Sequence, residues 1–180
     1  QTNQLTAYID ASNVYGSDIS TAAELREGVH GQMKVEPDGL MFLKHEESCR
    51  AANEEHCFKG GDPRVNEQAA LVSMHTLWVH QHNKIAKLLS RRNPHWDDAK
   101  LYQVARKIVG AQHQHITYTE FLPKVLGKNL MKRWGLEWRP GQHYNGHCDP
   151  SITNSFATAA FRFGHTLIAK DFDMADGRKY

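Results

Sequence analysis

The apolar positions of this chain settle into a helical rhythm only after Pro63. Leu71, Met74, Leu77, Trp78, Ile85, Leu88 and Leu89 recur at intervals of three and four, and neither Gly nor Pro interrupts 64–93. Side chains at that spacing share one face of an α-helix, so the pattern predicts one long amphipathic helix of roughly 20 residues or more. Asn93-Pro94 ends it. A second helix is predicted from Asp97 or Asp98 to about His115, with Leu101, Val104, Ala105, Ile108 and Val109 facing inward. A third, short one covers 118–126 and is closed by Gly127, and a fourth runs from Pro150 to Gly164. Near the start, 20–27 reads as a short helix capped by Ser20 or Thr21, with Glu24 placed for a capping box. The stretches 1–16, 28–63 and 135–150 carry no period and read as extended chain or loop. In 28–63 the breakers are Gly31, Pro37, Gly39, Gly60, Gly61 and Pro63, with strand character only near Leu40–Leu43. The expected class is mainly α with long ordered loops.

Composition narrows the field. A length of 180 residues suits one domain, and no second domain is expected. Lys and Arg number 22 against 20 Asp and Glu, a balance too even for an acidic tail or a nucleic-acid footprint over the whole surface. Four Trp, seven Phe and six Tyr are too many aromatics for a disordered chain. No apolar run reaches the length of a bilayer span. The chain starts at Gln1 instead of Met, which leads to the expectation of a fragment, and no signal peptide is visible in it.

Four groups of residues carry candidate chemistry. Arg64 and Glu67, three apart, are expected to open the long helix on neighbouring positions of one face. They are read either as a surface pair complementing the helix dipole or as functional groups in a partly buried first turn. The second group is the histidines, twelve in all. His75, His80 and His82 share the long helix without the H-E-x-x-H spacing of a zinc protease, and His113 and His115 point to different sides of the next. His165 follows Phe161-Arg162-Phe163-Gly164 at a helix end, where it is either a core histidine or a metal or haem ligand. Thr6, Tyr8, Asp10 and Ser12 alternate along an extended segment. Two hydroxyls, a carboxylate and the Tyr8 carbonyl form an oxygen set of the kind Ca²⁺ accepts, and ordinary turn chemistry would use the same residues. Cys49 and Cys57 lie eight apart, equally compatible with a local disulfide or two free thiols, and Cys148 has no evident partner.

In order and spacing these pieces resemble the animal haem peroxidases, the family of myeloperoxidase, lactoperoxidase, thyroid peroxidase and peroxidasin. Peroxidasin-like members look nearest. The matching stretches are LTAYIDASNVYGSD (5–18), CFKGGDPRVNE (57–67) and LVSMHTLWVHQHNKIAKLL (71–89). LYQVARKIVGAQHQHITYTEFLPKVLG (101–127) and DPSITNSFATAAFRFGHTLI (149–168) complete a collinear match over nearly the whole chain. The resemblance implies a mainly α haem peroxidase fold and assigns His165 as the axial ligand of haem iron. It makes Arg64 the distal arginine that polarises bound peroxide, and Glu67 the carboxylate of an ester to haem b. Gln68 stands where myeloperoxidase has a methionine, so a sulfonium link is not implied. Thr6, Tyr8, Asp10 and Ser12 match the family's calcium loop, and Cys49 and Cys57 its disulfide. The implied reaction reduces hydrogen peroxide and oxidises a halide, phenol or similar donor, in a secreted or extracellular protein.

The match is incomplete at both ends. The family's distal histidine and second esterified aspartate lie upstream of the calcium loop, and the asparagine that bonds the proximal histidine lies beyond Tyr180. A missing general base removes a factor of about 10²–10⁴. The expectation is therefore that these 180 residues are the central part of one haem peroxidase domain and not a competent peroxidase alone. The alternative is a non-catalytic module that keeps haem or calcium. A histidine-rich zinc protein is a third reading.

Overall fold

The computed structural model describes residues 5–43, 57–139, 141, 144–175 and 177–178. It is mainly helical, as the periodicity predicts. Among the described residues β-structure is limited to isolated antiparallel bridges, Arg26 with Met33, Val35 with Met41 and Leu43 with Phe58. The chain forms two compact units, one of residues 9–144 and one joining 1–8 to 145–180.

The larger unit is built on α3 (Ala69–Arg92) and α4 (Asp98–Ile116), which pack together. Asn93 ends α3, its amide donating to the Leu89 carbonyl. Asp97 starts α4 by accepting from the Lys100 amide at 2.7 Å, so the predicted boundary between the two stands. Leu101, Tyr102, Ala105 and Val109 turn the inner face of α4 into the core, each no more than 2% exposed. A fully buried Leu or Val side chain of this kind contributes about 1.5–3 kcal/mol.

Two short helices lie before them, and both differ from expectation. Residues 12–15 form α1 (Ser12–Tyr15), where loop is predicted, because Val14 and Tyr15 are buried against the core and Gly16 closes the turn. Next comes α2 (Ile19–Glu24), capped by Asp18 and not by Ser20 or Thr21. The Asp18 carboxylate accepts from the Thr21 amide and from both hydroxyls, which holds its pKa well below the usual carboxylate range.

The loop from 25 to 43 is tied to the helices by polar side chains. Asn83 on α3 pairs with Met33 like a strand neighbour, accepting from its amide at 2.7 Å and donating to its carbonyl at 2.9 Å. The Asp98 carboxylate accepts from Arg26 and from the Gly31 amide. Gly31 has φ +69, and a Cβ there would stand 2.6 Å from the Leu101 Cβ, so only glycine lets the loop approach α4 this closely. Three of the molecule's ring systems meet beneath it. His82 Nε2–H donates to the Gly31 carbonyl at 2.8 Å, and the Tyr15 hydroxyl donates to His82 Nδ1 at 2.8 Å. Tyr102 stands edge-on to Tyr15.

Beyond α4 the helix does not stop at a turn. Residues 117–121 widen into a single π-helical stretch, and α5 (Leu122–Arg133) continues from it. Gly127 kinks α5 at φ +76 instead of closing it, and the chain resumes helical geometry to Arg133. A glycine read as a stop is here a bend.

The smaller unit has α6 (Asn154–Thr158) followed by a 3₁₀ helix over Ala160–Leu167. Ala159, at φ −129 and ψ −66, separates them, so the single helix predicted from Pro150 to Gly164 is two shorter pieces. None of the described residues of this unit is buried.

Candidate functional site

Arg64 does not lie on the first turn of α3. It lies on a 3₁₀ turn over Pro63–Asn66 that precedes it. Asp62 caps this turn, accepting from the Arg64 amide at 2.9 Å, and Pro63 suits the first helical position, where no amide donor is needed. Val65, 1% exposed, anchors the turn in the core. Asn66 fixes its far end by donating to the Phe58 carbonyl and accepting from the Phe58 amide, at 2.7 and 2.8 Å. Gln68 then turns extended, φ −162 and ψ 158, and α3 starts afresh at Ala69. No Gly or Pro marks that break, so the sequence pattern runs the two elements together.

The consequence for chemistry is a rigidly held, exposed cation. Arg64 grips Asp62 bidentately, Nε to Oδ1 at 3.0 Å and Nη2 to Oδ2 at 2.7 Å. That pairing pushes the carboxyl of Asp62 down and the guanidinium of Arg64 up. A guanidinium carries five N–H donors, and two are used on Asp62. Three remain for an anion or a polar ligand. Glu67 follows directly at the end of the same turn and is exposed. Asp62 is the residue that reading the sequence missed; an Asp-Pro pair directly before an arginine is the signal that could have found it.

His165 lies inside the 3₁₀ helix of the smaller unit and is exposed, instead of leaving the end of an α-helix. Arg162 Nε donates to the Ala157 carbonyl at 3.2 Å, and the Phe156 and Phe161 rings meet at a tilt with centroids 5.6 Å apart, so the turn before the histidine is held locally. Phe161, Phe163, Leu167 and Ile168 around it are all exposed.

The oxygen set divides between the units, Thr6 and Tyr8 in one and Asp10 and Ser12 in the other. Thr6 Oγ1 accepts from the Tyr8 amide at 3.1 Å, and Asp10 Oδ1 from the Ser12 amide at 2.9 Å. Among the described residues no three His, Cys, Asp or Glu side chains converge on a metal position. Cys57 is buried and Cys148 is an exposed free thiol, while Cys49 lies outside the described residues.

Of the other histidines, His82 is the satisfied core histidine described above. Burial lowers its pKa to about 4. His75 donates from Nδ1 to the Leu71 carbonyl, leaving Nε2 buried without a partner among the described residues. His113 packs its ring 4.0 Å from that of Trp78, and burial lowers its pKa too. No described helix is long and apolar enough to cross a membrane.

The model of the animal haem peroxidase family matches residues 1–180. Peroxidasin of Drosophila melanogaster is 48% identical over 93% of this chain and 12% of its own length. Myeloperoxidase of Mus musculus is 44% identical over the same share and 25% of its own length. The chain thus spans a quarter or less of these relatives. The solved structure of peroxidase A from Dictyostelium discoideum superposes with a TM-score of 0.79 at 28% identity, over all of this chain and 35% of that one.

Proposed function

Because this chain belongs to the animal haem peroxidase family, we propose that it is the central part of one haem peroxidase domain, acting on hydrogen peroxide and a small reducing donor. The observation that carries the reading is the turn over 63–66. It presents an oriented guanidinium at Arg64 and an exposed carboxylate at Glu67 from one short element fixed at both ends. By their chemistry the residues suit haem: the His165 imidazole for the iron and the Glu67 carboxylate for an ester link. When bound, haem supplies the redox chemistry that reduces peroxide to water and oxidises a halide, phenol or similar donor.

The chain's own residues do the positioning. Asp62 fixes the plane of the Arg64 guanidinium, and the remaining N–H groups would be the donors for negative charge developing on peroxide oxygen. Thr6, the Tyr8 carbonyl, Asp10 and Ser12 are read as ligands of Ca²⁺, whose preference for oxygen donors they meet. Cys57 is disulfide-bonded and Cys148 free, which supports Cys49 as the partner of Cys57 and a secreted or extracellular setting.

The test is peroxide-dependent oxidation of iodide and of a phenol by the haem-loaded protein in its natural full-length form. Arg64→Gln is expected to lower kcat/KM by about 10²–10³. Unchanged turnover would remove Arg64 from the mechanism, and binding of haem with no turnover at all would favour the non-catalytic module.

A further inference from the structure

The buried pair Tyr15–His82 takes no part in the chemistry above, yet its hydrogen-bond directions are fixed in an uncommon way. The Gly31 carbonyl can only accept, so His82 Nε2 carries the ring hydrogen and Nδ1 presents its lone pair to the Tyr15 hydroxyl. Neither residue is exposed at all. The second tyrosine of the cluster makes the contrast. The Tyr102 ring is 5.9 Å from that of Tyr15 and 5.3 Å from that of His82, but its buried hydroxyl has no hydrogen-bond partner among the described residues.

We propose that Tyr15 and His82 form a redox-active pair, in which a one-electron oxidant takes an electron from Tyr15 while its hydroxyl proton passes to His82 Nδ1. The Tyr15 O–H bond breaks, an Nδ1–H bond forms, and the oxidant is reduced by one electron. The product is a neutral Tyr15 phenoxyl radical hydrogen-bonded to a His82 imidazolium, and one electron from a reductant reverses each change. The pair stands on the geometry of the larger unit and does not depend on the haem reading, although a peroxidase reaction is one source of such an oxidant.

Three features support it. An oxidised phenol is a strong acid and needs an acceptor already in contact. Burial keeps His82 neutral and its lone pair free, and keeps Tyr15 protonated until the electron leaves. Tyr102 has a ring in the same cluster but no acceptor among the described residues, so the hole settles on Tyr15. The nearby cations set the potential high. Arg106 lies 5.2 Å over the Tyr15 ring, and Arg26 lies 4.3 Å over Tyr102, its charge offset by Asp98 at 2.7 Å. An added positive charge on His82 is disfavoured there, which makes the oxidised pair a strong oxidant. Burial keeps its radical from coupling with others, unlike one on Tyr144, which is 82% exposed.

The experiment oxidises the protein with photogenerated tris(bipyridine)ruthenium(III), without haem, and reads frozen samples by electron paramagnetic resonance after a delay. The expected result is a persistent tyrosyl signal coupled to one exchangeable deuteron in D₂O, lost in Tyr15→Phe and kept in Tyr102→Phe. The second variant removes a hydroxyl with no hydrogen-bond partner among the described residues, so it preserves the fold. A persistent signal undiminished in Tyr15→Phe, one lost in Tyr102→Phe, one without the exchangeable coupling, or none in the parent protein would each overturn the proposal. Because no haem is involved, such a failure counts against the pair alone.

Discussion

His82 and His165 are the same side chain in opposite settings, and the two units differ as these residues do. His82 lies in the larger unit, fully buried, with both ring nitrogens engaged by Tyr15 and Gly31. His165 lies in the smaller unit, exposed on a 3₁₀ helix whose described residues include none that is buried. One histidine is part of what holds the chain folded. The other is displayed, with apolar neighbours Phe163, Leu167 and Ile168 also exposed. The difference teaches that a histidine's type says little about its role; the number of nitrogens the protein itself satisfies says more.

The comparison breaks first where the larger unit is most constrained. Gly31→Ala places a Cβ against Leu101 and Tyr102 at a positive φ, and so removes the contact under which His82 is bonded. A loss of about 3 kcal/mol or more is expected in chemical denaturation. A near-neutral effect would mean the loop is free to move away from α4.

Acid should separate the two histidines next. The folded-state pKa of His82, about 4, lies below its ordinary value of 6.5, so the unfolded chain takes up the proton first as pH falls. Stability is therefore full above about pH 7 and declines as pH drops towards 4, by roughly 2 kcal/mol between pH 7 and 5. His113 shifts the same way and adds to the slope. Urea midpoints across that range measure it, and a flat profile would show that His82 is not held neutral.

Smaller still is the cap. Asp97→Ala removes the acceptor for the Lys100 amide and should cost about 1 kcal/mol, read as a shift in melting temperature. Smallest is His165→Ala, expected within about 0.5 kcal/mol of the parent, since the side chain is exposed. A large destabilisation there would make His165 a structural residue after all.

The existence and ends of α3 and α4 were legible from their 3.6-residue period and the capping chemistry at Asn93 and Asp97, but not the buried faces. Met74, Leu77, Leu88 and Ile108 are exposed, while His75, Val79, His82, Asn83 and Ala86 are the buried residues of α3. Shorter elements were not legible. The break at Gln68 is a backbone change in a residue with no conformational signature, and α1 forms because Tyr15 is buried by contacts distant in sequence. Gly127 shows the opposite failure, a residue that signals a stop but is used as a kink. Site residues could be named from a family resemblance, but not their surroundings. That Asp62 clamps Arg64, and that His82 is tied to Tyr15 across 67 positions, are facts of tertiary structure that no local pattern encodes.

The most direct test of the account is a haem titration of the protein followed by ultraviolet–visible absorption, with His165→Ala and Asp97→Ala measured alongside. The account predicts a Soret band for the parent and for Asp97→Ala, and its loss or shift in His165→Ala while the fold remains intact by circular dichroism. An unchanged Soret band in His165→Ala would contradict it, because the displayed histidine would then not be the one that holds the iron.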